Sequence, residues 1–135
     1  MDNITSVYDT QDILKPFRVS RFAALTSFKR DGQGVTTPIG LYLADGKAYF
    51  ITYSTSWKIK RIANNSQVTL APCTQRGKVT GGAIKGTARR LEGSEREQKF
   101  IRVANSFNRW LFQVIYKVRF KATPVLFEVT PDEAS

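Results

Sequence analysis

Two Asp-Gly pairs constrain this chain more than any other feature. Asp31-Gly32 and Asp45-Gly46 each stand between runs whose apolar residues recur at every second position. Asp-Gly tolerates the left-handed backbone of a two-residue turn, so between alternating runs it reads as an antiparallel hairpin. The first pair joins 21–29, where Phe22, Ala24, Thr26 and Phe28 share a face, to 35–43, where Val35, Thr37, Ile39, Leu41 and Leu43 alternate. The second pair leads from there into 47–53. Three consecutive strands of a meander follow from these turns.

The rest of the chain extends that pattern. A short helix is expected over 12–17, after a loose leader at 1–10. Ile59, Ile62 and Ala63 recur at helical spacing over 57–64. Runs 67–74 and 81–91 read as strands on either side of the turn Gln75-Arg76-Gly77-Lys78. Ser94 and Glu97 have capping-box spacing for a helix reaching about Asn105. Phe107–Val118 reads as a second, aromatic and basic helix, and 123–129 closes the chain as a strand. Six mostly antiparallel strands with glycine turns describe a small barrel, mainly β with helices (α+β), in one domain over 1–135.

One strand has an unusual face. Pro38 cannot donate to a ladder, so it belongs at an edge or a bulge. With Thr36 and Gly40 it forms a face that fills a core badly and lets a flat ligand approach the backbone.

Composition narrows the chemistry. At 41% hydrophobic residues the chain can bury a core. It has no histidine, which excludes histidine general bases, histidine metal ligands and Ser-His or Cys-His nucleophiles. Its single cysteine, Cys73, excludes an internal disulfide and a cysteine zinc site, and reads as a small buried hydrophobe. No metal site and no catalytic side chain is assigned. The N-terminus lacks the pattern of a signal peptide, and the apolar stretch at 110–118 is too short to span a bilayer. A cytoplasmic protein without membrane attachment is the expectation.

Charge supplies the strongest functional signal. The net charge is +10. Between Gly46 and Leu91 there is no Asp or Glu, yet there are nine basic residues. Three of them, Lys58, Lys60 and Arg61, fall at the start of the expected helix, beside Ser54, Thr55 and Ser56. First helical turns normally favour acids, because the peptide dipole places partial positive charge there. Hydroxyl caps, unpaired backbone N–H groups and cations at one helix start favour an anion, above all a phosphate.

Several segments together resemble a known family. Phe28-x-x-Asp31-Gly32-x-x-Val35-x-Thr37-Pro38, Lys58-x-Lys60-Arg61-Ile62, Val68-x-Leu70-Ala71-Pro72-Cys73 and Gly86-Thr87-Ala88-Arg89 follow one another at matching intervals. They resemble the split-barrel flavin-binding family that includes pyridoxamine 5'-phosphate oxidase. Within it they look like the small oxidoreductases that use the deazaflavin coenzyme F-420. The resemblance covers about 22–129. It implies a homodimer of six-stranded split β-barrels of the FMN-binding type, with two cofactor sites at the subunit interface. The cofactor, coenzyme F-420 or FMN, would lie with its ring against Thr36, Thr37, Pro38 and Ile39, near Thr52 and Tyr53. Its phosphate would be gripped by Ser54, Ser56, Lys58, Lys60 and Arg61. The implied activity is hydride transfer to a small, electron-poor organic substrate. The chain lacks the His and Arg pattern that accompanies oxidation of pyridoxamine phosphate, which sets it apart from the family's namesake reaction. A flavin-binding protein without turnover is an alternative. A basic small-barrel binder of single-stranded nucleic acid is another, although most aromatics fall on apolar faces.

Overall fold

A computed structural model of the chain describes residues 14–18, 21–106 and 124–132. The expected leader at 1–10 and the expected helix at 107–118 lie outside them. Seven strands and two helices follow one another as β1 (Phe22–Phe28), β2 (Gly34–Gly40), β3 (Tyr42–Ala44), β4 (Lys47–Tyr53), α1 (Trp57–Asn64), β5 (Gln67–Cys73), β6 (Ile84–Arg90), α2 (Gly93–Ser106) and β7 (Pro124–Pro131). Residues 14–18 form a further helical segment. All the pairings are antiparallel, in the order β2-β1-β5-β6-β7-β4-β3.

The two Asp-Gly turns form as their composition requires. Asp45 and Gly46 both take positive φ, 56° and 73°, the left-handed pair of a tight hairpin turn. Gly32 adopts φ 90°, and its N–H donates to the Lys29 carbonyl at 2.9 Å.

The strand expected over 35–43 is two strands, which makes the sheet seven-stranded where six strands were expected. Its alternation is intact: Ile39 and Leu41 are buried in the core and Leu43 packs against it. What changes is the partner. Residues 34–40 pair with β1, whereas Tyr42–Ala44 pair with β4. Leu41 lies at the exchange, and its N–H donates to the Arg21 carbonyl at 2.8 Å. One run therefore supplies both edges of the sheet, joined through a single residue, so the sheet curls on itself as a split barrel. Pro38 lies on β2, an edge strand, where its missing N–H costs no ladder bond.

The barrel's interior is filled by alternating residues. Ala23 and Leu25 of β1, Ala48 and Phe50 of β4, Val68 and Leu70 of β5, and Phe127 and Val129 of β7 are all buried there. The Phe50 and Phe127 rings stack at 5.2 Å between centroids. Leu14, Phe17 and Ile62 join the same cluster from the helical elements. A second cluster, Tyr49, Leu91, Phe100 and Leu126, lies on the other face of β4 and β7 and seats α2. That helix begins at Gly93, so Ser94 falls within its bounds instead of at its cap. Glu97 is exposed, and the acid that engages a partner in the first turn is Glu95.

Candidate functional site

Of the three hydroxyls expected at the start of α1, Ser56 is the cap. Its backbone is extended, and its Oγ accepts the Lys58 N–H at 3.2 Å. The side chain is buried, which fixes the helix start against the barrel. At the other end the Asn65 N–H donates to the Arg61 carbonyl at 2.9 Å. No acid stands in the first turn.

Spacing divides the three cations that the sequence groups together. Lys58 and Arg61 are three residues apart and lie close on the helix surface. Arg61 reaches inward: its Nε–H donates to the buried Ser27 Oγ at 2.7 Å. Lys60 turns away from them, and its Nζ sits 4.7 Å above the centre of the Trp57 ring. Ser27 is a residue that sequence reasoning missed. It follows Ala23 and Leu25 on the inward face of β1, and a small hydroxyl ending an apolar face is its one sequence signal.

The electrostatics of this pair distinguish it from other cations in the chain. None of the salt bridges among the described residues involves Lys58, Lys60 or Arg61. Lys58 is half-buried, and burial pushes its ammonium below the usual lysine range. The neighbouring Arg61 charge pushes it the same way. Among the described residues no counter-charge offsets these two effects, and a bound anion would.

Register ties the helix to β2. Ser27 pairs with Val35, and Thr26 with Thr36. The residue gripped by Arg61 is thus one position along from the stretch expected to face the cofactor ring. That stretch does not offer one face. Thr36 and Pro38 point outward, where Thr36 shares a 2.7 Å hydroxyl hydrogen bond with Thr26. Thr37 is half-buried on the opposite face, and the Ile39 side chain is in the core, so only Ile39's backbone can meet a ligand. A Cβ built on Gly77 would lie 3.7 Å from the Pro38 ring, so the 75–78 turn borders the outer face. On β4, Thr52 is buried and Tyr53 half-buried, while Ser54 is exposed beyond the strand end. The structure therefore brings Ser56, Lys58 and Arg61 together on α1 against β1, places the β2 stretch on the strand paired with β1, and directs Lys60 elsewhere.

A second ionic cluster lies across β4, β7 and β6. Glu128 of β7 is buried between its direct cross-strand neighbours Tyr49 and Arg89. It accepts from the Tyr49 hydroxyl at 3.1 Å and from Arg89 Nη2 at 3.1 Å, and Lys47 Nζ stands 3.5 Å away. Arg89 also forms a two-pronged pair with Glu95 of α2, at 3.0 and 2.7 Å. These carboxylates hold the Arg89 guanidinium firmly in its charged form. Burial, and then the Glu128 charge, push the Tyr49 hydroxyl above its usual range. Its charges are paired with one another within the fold, so the cluster is internally satisfied. Among the described residues no group of three or more His, Cys, Asp or Glu could hold a metal ion. Burial raises the Cys73 thiol pKa, which fits an inert core residue.

The sequence matches the pyridoxamine 5'-phosphate oxidase family over residues 10–135. The chain belongs to that family. No curated protein matches it significantly. Among solved structures, the chain is similar to general stress protein 26 of Bacillus anthracis, at 24% identity and TM-score 0.62, over 91% of this chain and 88% of that one. It is similar to an FAD-binding protein of Mesorhizobium loti at 16% identity and TM-score 0.64, over 90% and 87% of the two chains. The heme storage protein HutZ of Vibrio cholerae shares 10% identity and TM-score 0.65, over 91% and 89%. At these identities the structural likeness establishes the split-barrel fold. No helix among the described residues is long and apolar enough to cross a membrane.

Proposed function

We propose that this pyridoxamine 5'-phosphate oxidase family member is an oxidoreductase that works with a bound flavin-type cofactor, FMN or the deazaflavin coenzyme F-420. The reaction is hydride transfer to a small, electron-poor organic substrate. The observation that carries the reading is the Lys58–Arg61 pair: two adjacent half-buried cations, without a carboxylate partner among the described residues, at a hydroxyl-capped helix start. A cofactor phosphate supplies the charge this arrangement lacks. A membrane or nucleic-acid phosphate would meet exposed cations more readily than a half-buried one.

When bound, the cofactor supplies the hydride chemistry. The chain's own residues do the rest. Lys58, Arg61 and Ser56 take the phosphate, and Arg61 is held in place by Ser27. The β2 stretch Thr36–Ile39 offers backbone to the ring, with Thr52 and Tyr53 nearby. The absence of histidine suits a hydride transfer in which the protein need not move a proton. It also removes the commonest axial ligand for heme, so the likeness to a heme storage protein does not redirect the reading. The reading includes a homodimer with cofactor sites at its interface, as the resemblance implies. A lone 15.2 kDa species in sedimentation equilibrium at micromolar concentration would remove that part.

Parallel fluorescence titrations with coenzyme F-420 and FMN, at low and moderate salt, test the function. Tighter F-420 binding assigns the deazaflavin branch. Tighter FMN binding assigns an FMN protein of the same fold, and binding of neither refutes the proposal. The sequence's polyanion-attracting charge of +10 predicts that F-420, with its oligoglutamate tail, loses more affinity than FMN as salt rises.

A further inference from the structure

The chain leaving β5 folds into a tightly tied loop. The Thr74 N–H donates to the Lys78 carbonyl at 2.9 Å, the Lys78 N–H to the Thr74 hydroxyl at 3.1 Å, and the Gly77 N–H to the Thr74 carbonyl at 2.8 Å. Gly77 takes φ 92°, a backbone that favours glycine. Arg76 and Lys78 stand on either side of it, both exposed, and neither joins a salt bridge among the described residues. In the sheet β1 separates β5 from β2, yet this loop reaches β2: a Cβ on Gly77 would lie 3.7 Å from the Pro38 ring. The loop thus crosses β1 on the outer face, where Pro38 points.

Position along β2 separates these two cations from the pair on α1. Val35 lies opposite Ser27, which holds Arg61, and Pro38 is three residues further on, about 10 Å along a strand. The stretch assigned to the cofactor ring therefore runs from a phosphate grip at one end towards a second pair of cations at the other. One phosphate cannot occupy both ends.

We propose that Arg76 and Lys78 receive a carboxylate on the substrate, so that the electron-poor molecule reduced here is an organic anion. A guanidinium meets a carboxylate through two parallel N–H groups, and an ammonium adds a second charge. A loop already held by its own hydrogen bonds presents these groups at a low ordering cost. Pro38 is exposed and Val79 is 52% exposed, which leaves apolar surface near the charges for the rest of the molecule. The inference rests on the oxidoreductase reading above and names its substrate class.

The experiment loads the full chain with FMN or coenzyme F-420, whichever binds, and titrates it with cinnamate and with cinnamamide, the neutral amide of the same acid. Cofactor absorbance reports binding. Cinnamate should bind about tenfold more tightly than cinnamamide at low salt. In Arg76→Gln/Lys78→Gln that preference should fall to near unity with the cofactor still bound. Equal binding of the two probes by wild type, binding of neither probe, or a preference that survives in the variant overturns the substrate class and leaves the flavin reading standing. Loss of the cofactor from the variant assigns the loop to the cofactor and overturns the substrate class as well. A wild type that binds neither cofactor overturns both readings.

Discussion

Arg89 and the Lys58–Arg61 pair come from the same acid-free stretch of sequence, yet the fold treats them in opposite ways. Around Arg89, topology returns the missing acids. Glu128 arrives directly opposite on β7, and Glu95 descends from α2. Around α1 it returns none among the described residues: Arg61 receives a serine hydroxyl, and Lys58 receives burial and a neighbouring cation. The first cluster is internally satisfied and joins β4, β6, β7 and α2. The second is left short of negative charge. The lesson is that a basic stretch is not itself a site. The site is the part of it that the fold declines to neutralise.

The largest contrast should come from deleting one group in each cluster. Glu128→Ala removes the acceptor of the buried Tyr49 hydroxyl and leaves Arg89 with Glu95 as its carboxylate partner, so it should destabilise by about 1–3 kcal/mol, chiefly through Tyr49. Lys58→Met, by removing an uncompensated half-buried cation, should leave stability unchanged or raise it by up to about 1 kcal/mol. Urea unfolding of both variants measures this, and equal destabilisation would erase the distinction.

Binding should show the reverse order. Lys58→Ala or Arg61→Ala should weaken flavin affinity by about 1–3 kcal/mol, the range for losing a charge-assisted phosphate contact. Glu128→Gln, in a cluster whose partners are Tyr49, Arg89 and Lys47, should change affinity little. A larger loss from Glu128→Gln than from Arg61→Ala would contradict the assignment of roles.

Acid sharpens the comparison further. The Lys99 and Arg89 pairs hold the Asp45 and Glu95 carboxyls below their ordinary ranges. A depressed carboxyl contributes stability that is complete above its unfolded-state pKa and is lost as pH falls through its folded-state value. Docking of α2 should therefore weaken below about pH 4, followed by the fluorescence of Tyr49 and its surroundings. Lys58 has the opposite linkage. Its folded pKa is depressed, so its unfavourable contribution is present below the folded value and is relieved as pH rises towards the ordinary lysine value.

The smallest effect belongs to Arg90 and Glu92, which stand 3.6 Å apart with both side chains exposed. Glu92→Ala should shift stability by less than about 0.5 kcal/mol. A larger change would mean that exposed pairs on β6 matter as much as the buried carboxylate.

Much of the fold was legible because its signals are local. The Asp-Gly turns, the alternation of β2, a hydroxyl cap before α1 and the edge-or-bulge character of Pro38 all rest on neighbouring residues. In β1 the grouped face Phe22, Ala24, Thr26 and Phe28 lies opposite the barrel interior, which Ala23 and Leu25 fill. The exchange at Leu41 was not legible, since alternation records which face a residue takes and not which strand it pairs with. Within the site, the cations and the cap could be read, and the three-residue spacings could have separated Lys60 from Lys58 and Arg61. The Ser27–Arg61 contact spans 34 residues, and the Glu128 cluster assembles across three strands. Such contacts are fixed by register and topology, for which no short motif stands.

The central claim is that Lys58 and Arg61 grip a flavin phosphate, and riboflavin tests it most directly because it is FMN without that phosphate. Isothermal titration of both ligands into wild type and a Lys58→Ala/Arg61→Ala variant should give at least roughly tenfold tighter binding of FMN to wild type, with the difference collapsing in the variant. Riboflavin binding as tightly as FMN, or a phosphate preference that survives loss of both cations, would contradict it.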